Sequence, residues 1–571
     1  MAKKRNRNRP RPRPAGSSAS RTPDKPDTPD KPKPDKPDTP DKPDKTASDN
    51  RTPDKPDKPD KPDKPDKPDK PDKPDKPDSS EVREPAFWFG FDVTWAKLVT
   101  ARVVVFGLLA IDALLQIRHA PRYGAGEFNV GQLPGLDWLA PGRSGYEVAQ
   151  LVVAYLFVLV ACGVATRVLV PVVATIYAWL YLGSQLDSYQ HHYLVALVLV
   201  IASFVPWERP AAAAGGKVRS WALRLLLVQL AIVYLWAAIS KMHLQWVNGR
   251  TLGGQLTGTM RSLVDHTVGL KVASVMVIVV ELTLAATVWM RRTWIVAAPL
   301  GIALHVAIYA SKLEIGLFAY LMLGLYVLVV PDRVWVTIAE LPAVEAMGRR
   351  LRALGDSRSW YVWAAGVAVG VAIAVVTRFE NAVTAGVLGT IVAIAIGVGR
   401  IVRGQGRVAV VGVAHLMAIG MWWTIDRTTN VTGDYYRFWA GSQRRLGNPS
   451  EAERALRMLI ANEPGDGGAH YQLGRVLLAQ NRAEDGIAEL RRAQQLEPTR
   501  ARAWLEEARW LARQGKTDEA IAKAREAAFA EPSSGEARAL IGSLSSGRGV
   551  PAAGGGRSGA ARPDDDDMET P

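Results

Sequence analysis

From Leu98 to about residue 425 the chain alternates apolar segments with short charged loops, and this pattern constrains its fold more than any other feature. Eleven segments have roughly the length that a helix needs to cross about 30 Å of hydrocarbon, although the fourth is short. They lie near 98–117, 147–166, 168–186, 192–207, 221–240, 272–290, 293–311, 315–331, 361–377, 383–399 and 408–424. Spans this close together must pack as a helical bundle, because lipid tolerates only backbones whose hydrogen bonds are satisfied.

The N-terminal region is as polar as the middle is apolar. Residues 1–20 hold seven basic residues and no acid, and residues 21–80 hold 16 basic and 17 acidic residues, mostly as Lys-Pro-Asp triplets. Without apolar side chains this stretch cannot offset the entropy of ordering, and its prolines exclude a helix. We therefore expect a disordered tail over 1–87. Its basic head either touches an anionic surface or serves topology and solubility; we favour the second and expect no nucleic-acid partner.

Overall composition hides this segregation. The mean hydropathy of −0.02 is that of a soluble protein, yet it averages a polar tail with an apolar middle, so a single globular domain is excluded. Cys162 is the only cysteine, which excludes a disulfide framework, a cysteine zinc site and an iron–sulfur cluster. The chain also lacks a His-x-x-x-His pair, a Gly-x-Ser-x-Gly elbow and a phosphate loop. We predict no metal.

A repeat follows the apolar region. Glu-Pro recurs at Pro464, Pro498 and Pro532, a spacing of 34 residues, and the small residues Ala440, Gly474 and Ala508 keep the same phase. This period, with a small residue in the first helix and Pro after the second, is typical of tetratricopeptide repeats. Three repeats form an α-solenoid over about 434–543, whose concave face is expected to bind a peptide or protein. The Gly-rich, acidic tail over 544–571 is expected to be disordered.

Ionisable residues within or beside the spans mark the candidate site, since such groups are costly in lipid unless they have a role. Three clusters stand out on the sequence: Asp187 to Tyr193, with His191 and His192; Tyr234 to Gly249, with Lys241 and His243; and His305 with Tyr309, Ser311 and Lys312. All three fall toward the same outer face of the predicted bundle. This convergence predicts one site.

Each of these residues also has a structural interpretation. Histidines at helix ends can lie among lipid headgroups, and Lys241 can snorkel to the interface. His305 lies too deep in its span for that, but an interhelical hydrogen bond would satisfy it. Glu281, in the middle of its span, is either a structural acid facing the bundle or part of a proton path, and His415 is expected to be structural.

The order of these motifs resembles a known family. His192-Tyr193 begins one span, Lys241 and the run Trp246-Val-Asn-Gly249 follow the next, and the span of His305 leads into Gly316-Leu-Phe-Ala-Tyr. This order is similar to the HTTM domain, the membrane domain of vitamin K-dependent gamma-carboxylase and its bacterial relatives, over about 88–335. The resemblance implies that Lys241 is the base that deprotonates a reduced quinone and that His192 and His305 assist oxygenation and carboxylation. Oxygen and carbon dioxide would be co-substrates.

The resemblance has a limit. The animal enzymes continue into a β-rich domain that recruits substrate, whereas here further spans over 336–430 and the repeats take its place. We therefore expect an integral-membrane, quinol-dependent carboxylase-like lyase whose repeats present a peptide or protein. The alternative is a membrane-anchored assembly scaffold with a catalytically silent bundle. A transporter is disfavoured because no inverted repeat is evident. The expected fold class is all-α, a polytopic transmembrane bundle followed by a tetratricopeptide solenoid.

Loop charges predict the orientation in the cell membrane. They favour a cytoplasmic N-terminus. In that orientation the inside loops hold 15 Lys and Arg residues and the outside loops hold 9, and basic residues are enriched in cytoplasmic loops. An odd number of spans then places the repeats outside. Reporter fusions after residues 80 and 545 should therefore respond as though they lie in opposite compartments. The same response from both fusions would contradict the predicted span count.

Overall fold

The computed structural model describes residues 91–124, 129–187, 190–207, 216–256, 258–311, 317–356 and 405–547. Over these residues the chain is almost entirely helical, which confirms the all-α prediction. The tail predicted to be disordered over 1–87 and the spans predicted near 361–377 and 383–399 lie outside the described residues, as does most of the tail 544–571.

The membrane region contains fourteen described helices and several short 3-10 turns. The helices are α1 Trp95–Gln116, α2 Arg143–Ala161, α3 Thr166–Gly183, α4 Gln190–Ala202, α5 Trp221–Ser240, α6 Leu244–Val247, α7 Arg250–Gln255, α8 Gly258–Thr267, α9 Leu270–Thr287, α10 Trp294–Ala310, α11 Phe318–Leu325, α12 Asp332–Ala339, α13 Pro342–Asp356 and α14 Gln405–Thr429.

Six helices of the described chain are long and apolar enough to cross a membrane. The first is α1 extended by the 3-10 turn Ile117–Gly124, and the last is α10 extended at its start by the 3-10 turn Arg291–Thr293. The other four are α2, α3, α5 and α9. These helices coincide with six of the predicted spans. Many of their outward side chains are large and apolar, as lipid contact requires, and the protein is a multi-pass membrane protein.

Other predicted spans differ from a simple crossing. The segment predicted near 192–207 forms only the 13-residue α4, about 20 Å long, which is too short to cross the hydrocarbon. The segment near 315–331 is a bent pair, Phe318–Leu328 and Asp332–Ala339, whose axes differ by 93°. The break comes at Pro331, which cannot continue a helix hydrogen-bond ladder. The segment near 408–424 lies within α14.

Two short strands join the start of α1 to the start of α5. Strand β1 is Asp92–Thr94 and strand β2 is Lys217–Arg219, and they pair antiparallel with Val93 opposite Val218. Both valines are buried, while Arg219 pairs with Asp92 at 3.0 Å on the outer side. This pair was not predicted, because three alternating residues within charged loops give no distinct periodic signal.

Three antiparallel helix pairs and a final helix form the C-terminal repeats. They are α15 Val431–Arg445 with α16 Pro449–Asn462, α17 Gly467–Ala479 with α18 Ala483–Leu496, α19 Ala501–Arg513 with α20 Thr517–Ala530, and α21 Gly535–Ser545. The 34-residue period has a physical cause. A Cβ on Gly474 would come within 2.8 Å of the Leu490 Cγ atom, so only a small residue lets the paired helices approach. Ala440 and Ala508 take the same place and are buried.

The first repeat packs directly on the membrane domain. Tyr435 and Trp439 of α15 are fully buried, and the Tyr435 hydroxyl donates to Glu147 on α2 at 3.1 Å. Arg118, in the 3-10 turn after α1, pairs with Asp434 at 3.1 Å. The Arg143 guanidinium lies 4.0 Å from the Trp439 ring centroid. Burial raises the pKa of the Tyr435 hydroxyl above its usual range, so this hydroxyl stays a hydrogen-bond donor. The repeats are therefore joined to the bundle by packed contacts.

A buried carboxylate links the last two repeats. Glu507 on α19 is fully buried and accepts hydrogen bonds from Arg491 at 2.9 Å, Gln494 at 2.8 Å and Lys523 at 2.8 Å. Burial alone would raise the pKa of this carboxyl, but hydrogen bonds from Lys523, Gln494 and Arg491 hold it below its usual range. The charged form therefore stabilises the folded repeats.

Glu507→Gln should destabilise the repeats by roughly 2 kcal/mol at neutral pH, since charge-assisted hydrogen bonds are lost. Because the folded-state pKa is depressed, this contribution is present above the unfolded pKa of about 4.3 and is lost as pH falls through the folded value. Hydrogen exchange of α19 and α20 in the detergent-solubilised chain measures it. Glu526→Gln, at an exposed position of α20, is the matched control. Equal exchange in both variants would contradict the assignment.

Candidate functional site

One face of α5 carries two polar networks. Tyr234 and Lys241 are seven residues apart, so they lie on the same side of the helix axis about two turns from each other, a rise of about 10 Å. Tyr234 belongs to α5 itself, and Lys241 is its C-cap. The face that they share looks toward α9, with which α5 packs extensively, and toward His305 of α10.

The Lys241 ammonium is held by α9. Its Nζ atom donates to Glu281 Oε1 at 2.8 Å and to the Ala237 carbonyl at 3.2 Å. The exposed fraction of the side chain is 22% for Lys241 and 7% for Glu281. Lys241 therefore turns back into the bundle and does not snorkel away from it. Glu281 faces the bundle, and both interpretations of it, as a structural acid or as part of a proton path, stay predictions.

This ion pair lies alongside the interior of a candidate span. Glu281 is the twelfth residue of α9, about 16 Å along the helix from Leu270. Removing a single partner from such a buried pair leaves an uncompensated charge in an apolar setting, which costs several kcal/mol. The pair therefore constrains how α5 and α9 pack.

The Trp-x-x-Gly run after Lys241 has a structural reason. The Trp246 ring centroid is 5.3 Å from the Lys241 ammonium, and its indole nitrogen donates to the Ser274 carbonyl of α9 at 3.1 Å. Gly249 has φ of +77°, and a Cβ there would approach the Leu270 carbonyl carbon to 2.8 Å. The motif thus fixes the connection α6–α7 against the first half of α9 and covers the lysine.

His305 belongs to the second network. Its Nε2 atom lies 2.8 Å from the Tyr234 hydroxyl, and that hydroxyl lies 2.9 Å from the Tyr326 hydroxyl. All three side chains are buried. Three neighbouring helical segments therefore meet through these groups: α5, α10 and the 3-10 turn Tyr326–Leu328.

Gly301 makes room for this network. It lies one turn before His305 on α10, and a Cβ at this position would overlap the Tyr326 hydroxyl and ring. Any larger residue would displace Tyr326 from Tyr234. Sequence analysis could not predict this requirement, since an isolated Gly in an apolar span has many possible explanations.

His192 lies in a different set of contacts. It is buried near the start of α4, and its Nδ1 atom lies 2.8 Å from the Tyr177 hydroxyl on α3. Among the hydrogen bonds between described residues, His192 joins α3, whereas Lys241 and His305 join the two networks on α5. The predicted cavity shared by His192, Lys241 and His305 stays a prediction.

Open hydrogen-bond positions remain beside both α5 networks. Glu281 Oε2 and His305 Nδ1 are buried and have no hydrogen-bond partner within the described part of the chain. In either neutral tautomer, His305 Nδ1 offers one donor or one acceptor position. Buried polar atoms are usually satisfied, so these two atoms are candidate positions for hydrogen bonds to a bound molecule or to water. Among the described residues, no group of His, Cys, Asp and Glu side chains is suited to hold a metal ion.

Sequence analysis did not predict every residue of the site, and some predicted residues lie outside the part of the chain that the structure describes. Tyr326 was missed because a Tyr within an apolar run gives no signal without its neighbours. The side chain of His191 and the residue Lys312 fall outside what the structure describes. His415 is buried on α14 against the Tyr155 ring, with centroids 5.5 Å apart.

These features define a polytopic helical membrane protein with two buried polar networks and an attached helical-repeat domain. Residues 92–335 match the family model of the HTTM domain. Residues 439–501 and 479–537 match the tetratricopeptide repeat model. The chain thus combines an HTTM domain with C-terminal tetratricopeptide repeats, which confirms the resemblance drawn from the motifs. No curated protein matches the chain.

Gly301→Ala should lower the melting temperature of the detergent-purified protein by several degrees, because overpacking of a well-packed site costs about 1–3 kcal/mol. The matched control is Gly107→Ala on α1, where a Cβ meets no atom within 4 Å. Thermal unfolding followed by tryptophan fluorescence measures both. A normal melting temperature for Gly301→Ala would show that Tyr326 can leave the network at no cost.

Proposed function

We propose that the protein is an integral-membrane, quinol-dependent oxygenase or carboxylase acting on glutamate side chains of a peptide or protein recruited by its repeats. The observation that carries this proposal is the Lys241–Glu281 pair, whose carboxylate is buried and keeps one open oxygen, on the same face of α5 as the Tyr234–His305 pair. The HTTM match over 92–335 supports the same reaction class.

The residues fit a reduced quinone. Such a molecule carries hydroxyl groups on an apolar ring, and Glu281 Oε2 and His305 Nδ1 are buried polar atoms with open hydrogen-bond positions. Lys241, Glu281 and His305 would hold it. In the carboxylases that this domain resembles, oxygenation of the quinol supplies a base strong enough to remove a γ-proton from glutamate, and carbon dioxide then adds to that carbon.

The chain's own groups divide the proton handling between them. Lys241 can act as a base only after its ammonium has lost a proton, and Glu281 at 2.8 Å is the nearest acceptor. The carboxyl and the neutral amine formed by this transfer no longer attract each other as ions, which frees the amine for a substrate hydroxyl. His305, oriented by Tyr234, would stabilise the developing negative charge or relay a proton.

The repeats suit substrate presentation. Tetratricopeptide repeats generally bind proteins, and the docking of α15 on the turn Ile117–Gly124 keeps them next to the membrane domain. A segment bound by the repeats would therefore stay near the bundle, which raises its effective concentration at the site.

Lys241→Arg should reduce carboxylation at least about 100-fold, the usual contribution of a general base, because a guanidinium keeps its proton at working pH. The measurement is the mass gain of one carboxyl group on glutamates of a co-expressed partner. Glu281→Gln should reduce it as well. Lys271→Arg, at an exposed position of α9, is the matched control and should retain full activity. Full activity of correctly folded Lys241→Arg would remove Lys241 as the base.

A second candidate function is a membrane-anchored scaffold with a silent bundle. The packed contact between α15 and the bundle favours it. A scaffold needs its repeat domain held in a fixed position on the membrane domain, and this contact holds it without any catalysis in the bundle. In that case Lys241→Arg would leave every cellular effect of the protein intact. Trp439→Ala, which removes a fully buried anchor of α15, would abolish that effect.

A further inference from the structure

The bend at Pro331 places α12 across the direction of the spans. The segment Phe318–Leu328 packs beside α1 and α10, and α12 leaves it at 93°. If the neighbouring helices cross the membrane, α12 must run roughly parallel to its surface. It therefore lies at the boundary between lipid and water.

Polar contacts fix the bend at the end of the bundle where α1 begins. Asp332 accepts hydrogen bonds from the Thr94 backbone at 2.7 Å and from its hydroxyl at 3.0 Å, and pairs with Lys97 at 3.7 Å. Lys97 also donates to the Leu328 carbonyl at 3.1 Å, and Trp335 donates to the Val327 carbonyl at 3.0 Å. Every one of these contacts joins the two sides of the bend or ties it to α1. These contacts therefore hold the bend in one conformation.

An exposed apolar stripe follows α12 into α13. Val334 and Ile338 share one side of α12, Val344 and Met347 share one side of α13, and Leu341 lies in the connection between the two helices. They are 36–59% exposed: Val334, Ile338, Leu341, Val344 and Met347. An apolar stripe of this length at the membrane boundary is suited to the upper acyl region of a bilayer.

Exposed arginines accompany the stripe. Arg333 is the second residue of α12 and Arg350 lies on α13, whereas Arg349 pairs with Glu345 at 3.2 Å at a solvent-exposed site. On a helical projection of α13, Glu345 and Arg349 point away from Val344 and Met347. Apolar residues on one side and arginines beside them are the features of a helix that lies in an anionic lipid surface.

We propose that α12 and α13 form an interfacial segment that inserts the stripe Val334–Met347 among lipid chains and binds the headgroups of anionic phospholipids through Arg333 and Arg350. This role is independent of the chemistry at Lys241. It makes α12 and the exposed side of α13 a lipid-binding element, which the bend at Pro331 joins to α1 and which the packing of α13 on α14 joins to the bundle.

Single-cysteine labelling tests the insertion. Cys162 is the only cysteine, so a Cys162→Ser background allows Ile338→Cys and Val344→Cys to carry an environment-sensitive fluorophore in the reconstituted full chain. In phosphatidylglycerol vesicles, lipid-borne nitroxide should quench both labels and aqueous iodide should not. Glu345→Cys, on the other side of α13, is the control and should respond to iodide. Protection of Val344→Cys from both quenchers would mean that protein, such as the chain's own 357–404, covers the stripe, and would overturn the proposal.

Retained lipid tests the headgroup contacts. Native mass spectrometry of the purified chain should detect bound phosphatidylglycerol in preference to phosphatidylcholine. The double variant Arg333→Gln and Arg350→Gln should lower this preference by about fivefold for each arginine that contributes. A double variant at exposed arginines of the repeats, Arg445→Gln and Arg492→Gln, is the matched control. An unchanged lipid preference in the first variant would overturn the assignment of these arginines.

Discussion

A charge inside an apolar helical bundle must have a partner, and the arrangement of this membrane domain follows from that requirement. Lys241 is satisfied only if Glu281 lies beside it, so α5 and α9 must pack in a single register. Lys97 imposes the same condition at the other end, where Asp332 and the Leu328 carbonyl fix the bend before α12. Apolar contacts between helices in lipid are nearly interchangeable, whereas these polar contacts are directional, so they specify the packing.

The candidate site uses the same contacts that specify the fold. The Lys241–Glu281 pair and the Tyr234–His305–Tyr326 network hold four helical segments together, and each retains one open polar atom. Glu281 and His305 each make a structural contact through one atom and leave another atom open for a ligand. Such a side chain is already oriented before the ligand arrives. This preorganisation is what catalysis of proton transfer requires, since little rearrangement remains to be done when the substrate binds.

The repeats and the interfacial segment extend the bundle on both sides. At one end, α15 buries Tyr435 and Trp439 against the turn after α1 and the start of α2. At the end where α1 begins, α12 turns through 93° and carries an apolar stripe outward. The first contact joins the membrane domain to the repeats, and the second ends in the segment proposed to bind lipid. Both depend on α1, whose two ends they meet.

Sequence alone determined the elements whose cause is local or periodic. Long apolar runs specify membrane helices because an unsatisfied backbone is costly in lipid, and the 34-residue phase of Gly474 and its equivalents specifies the repeats. The ionisable residues Lys241, His192 and His305 were found because such groups are rare in apolar spans. Only the tertiary structure decided their partners. Glu281 follows Lys241 by 40 residues and Tyr326 follows Tyr234 by 92, so no local pattern links them. The pairing of His192 with Tyr177, the room that Gly301 leaves for Tyr326 and the bend at Pro331 likewise depend on how helices meet, which is set by the fit of distant side chains.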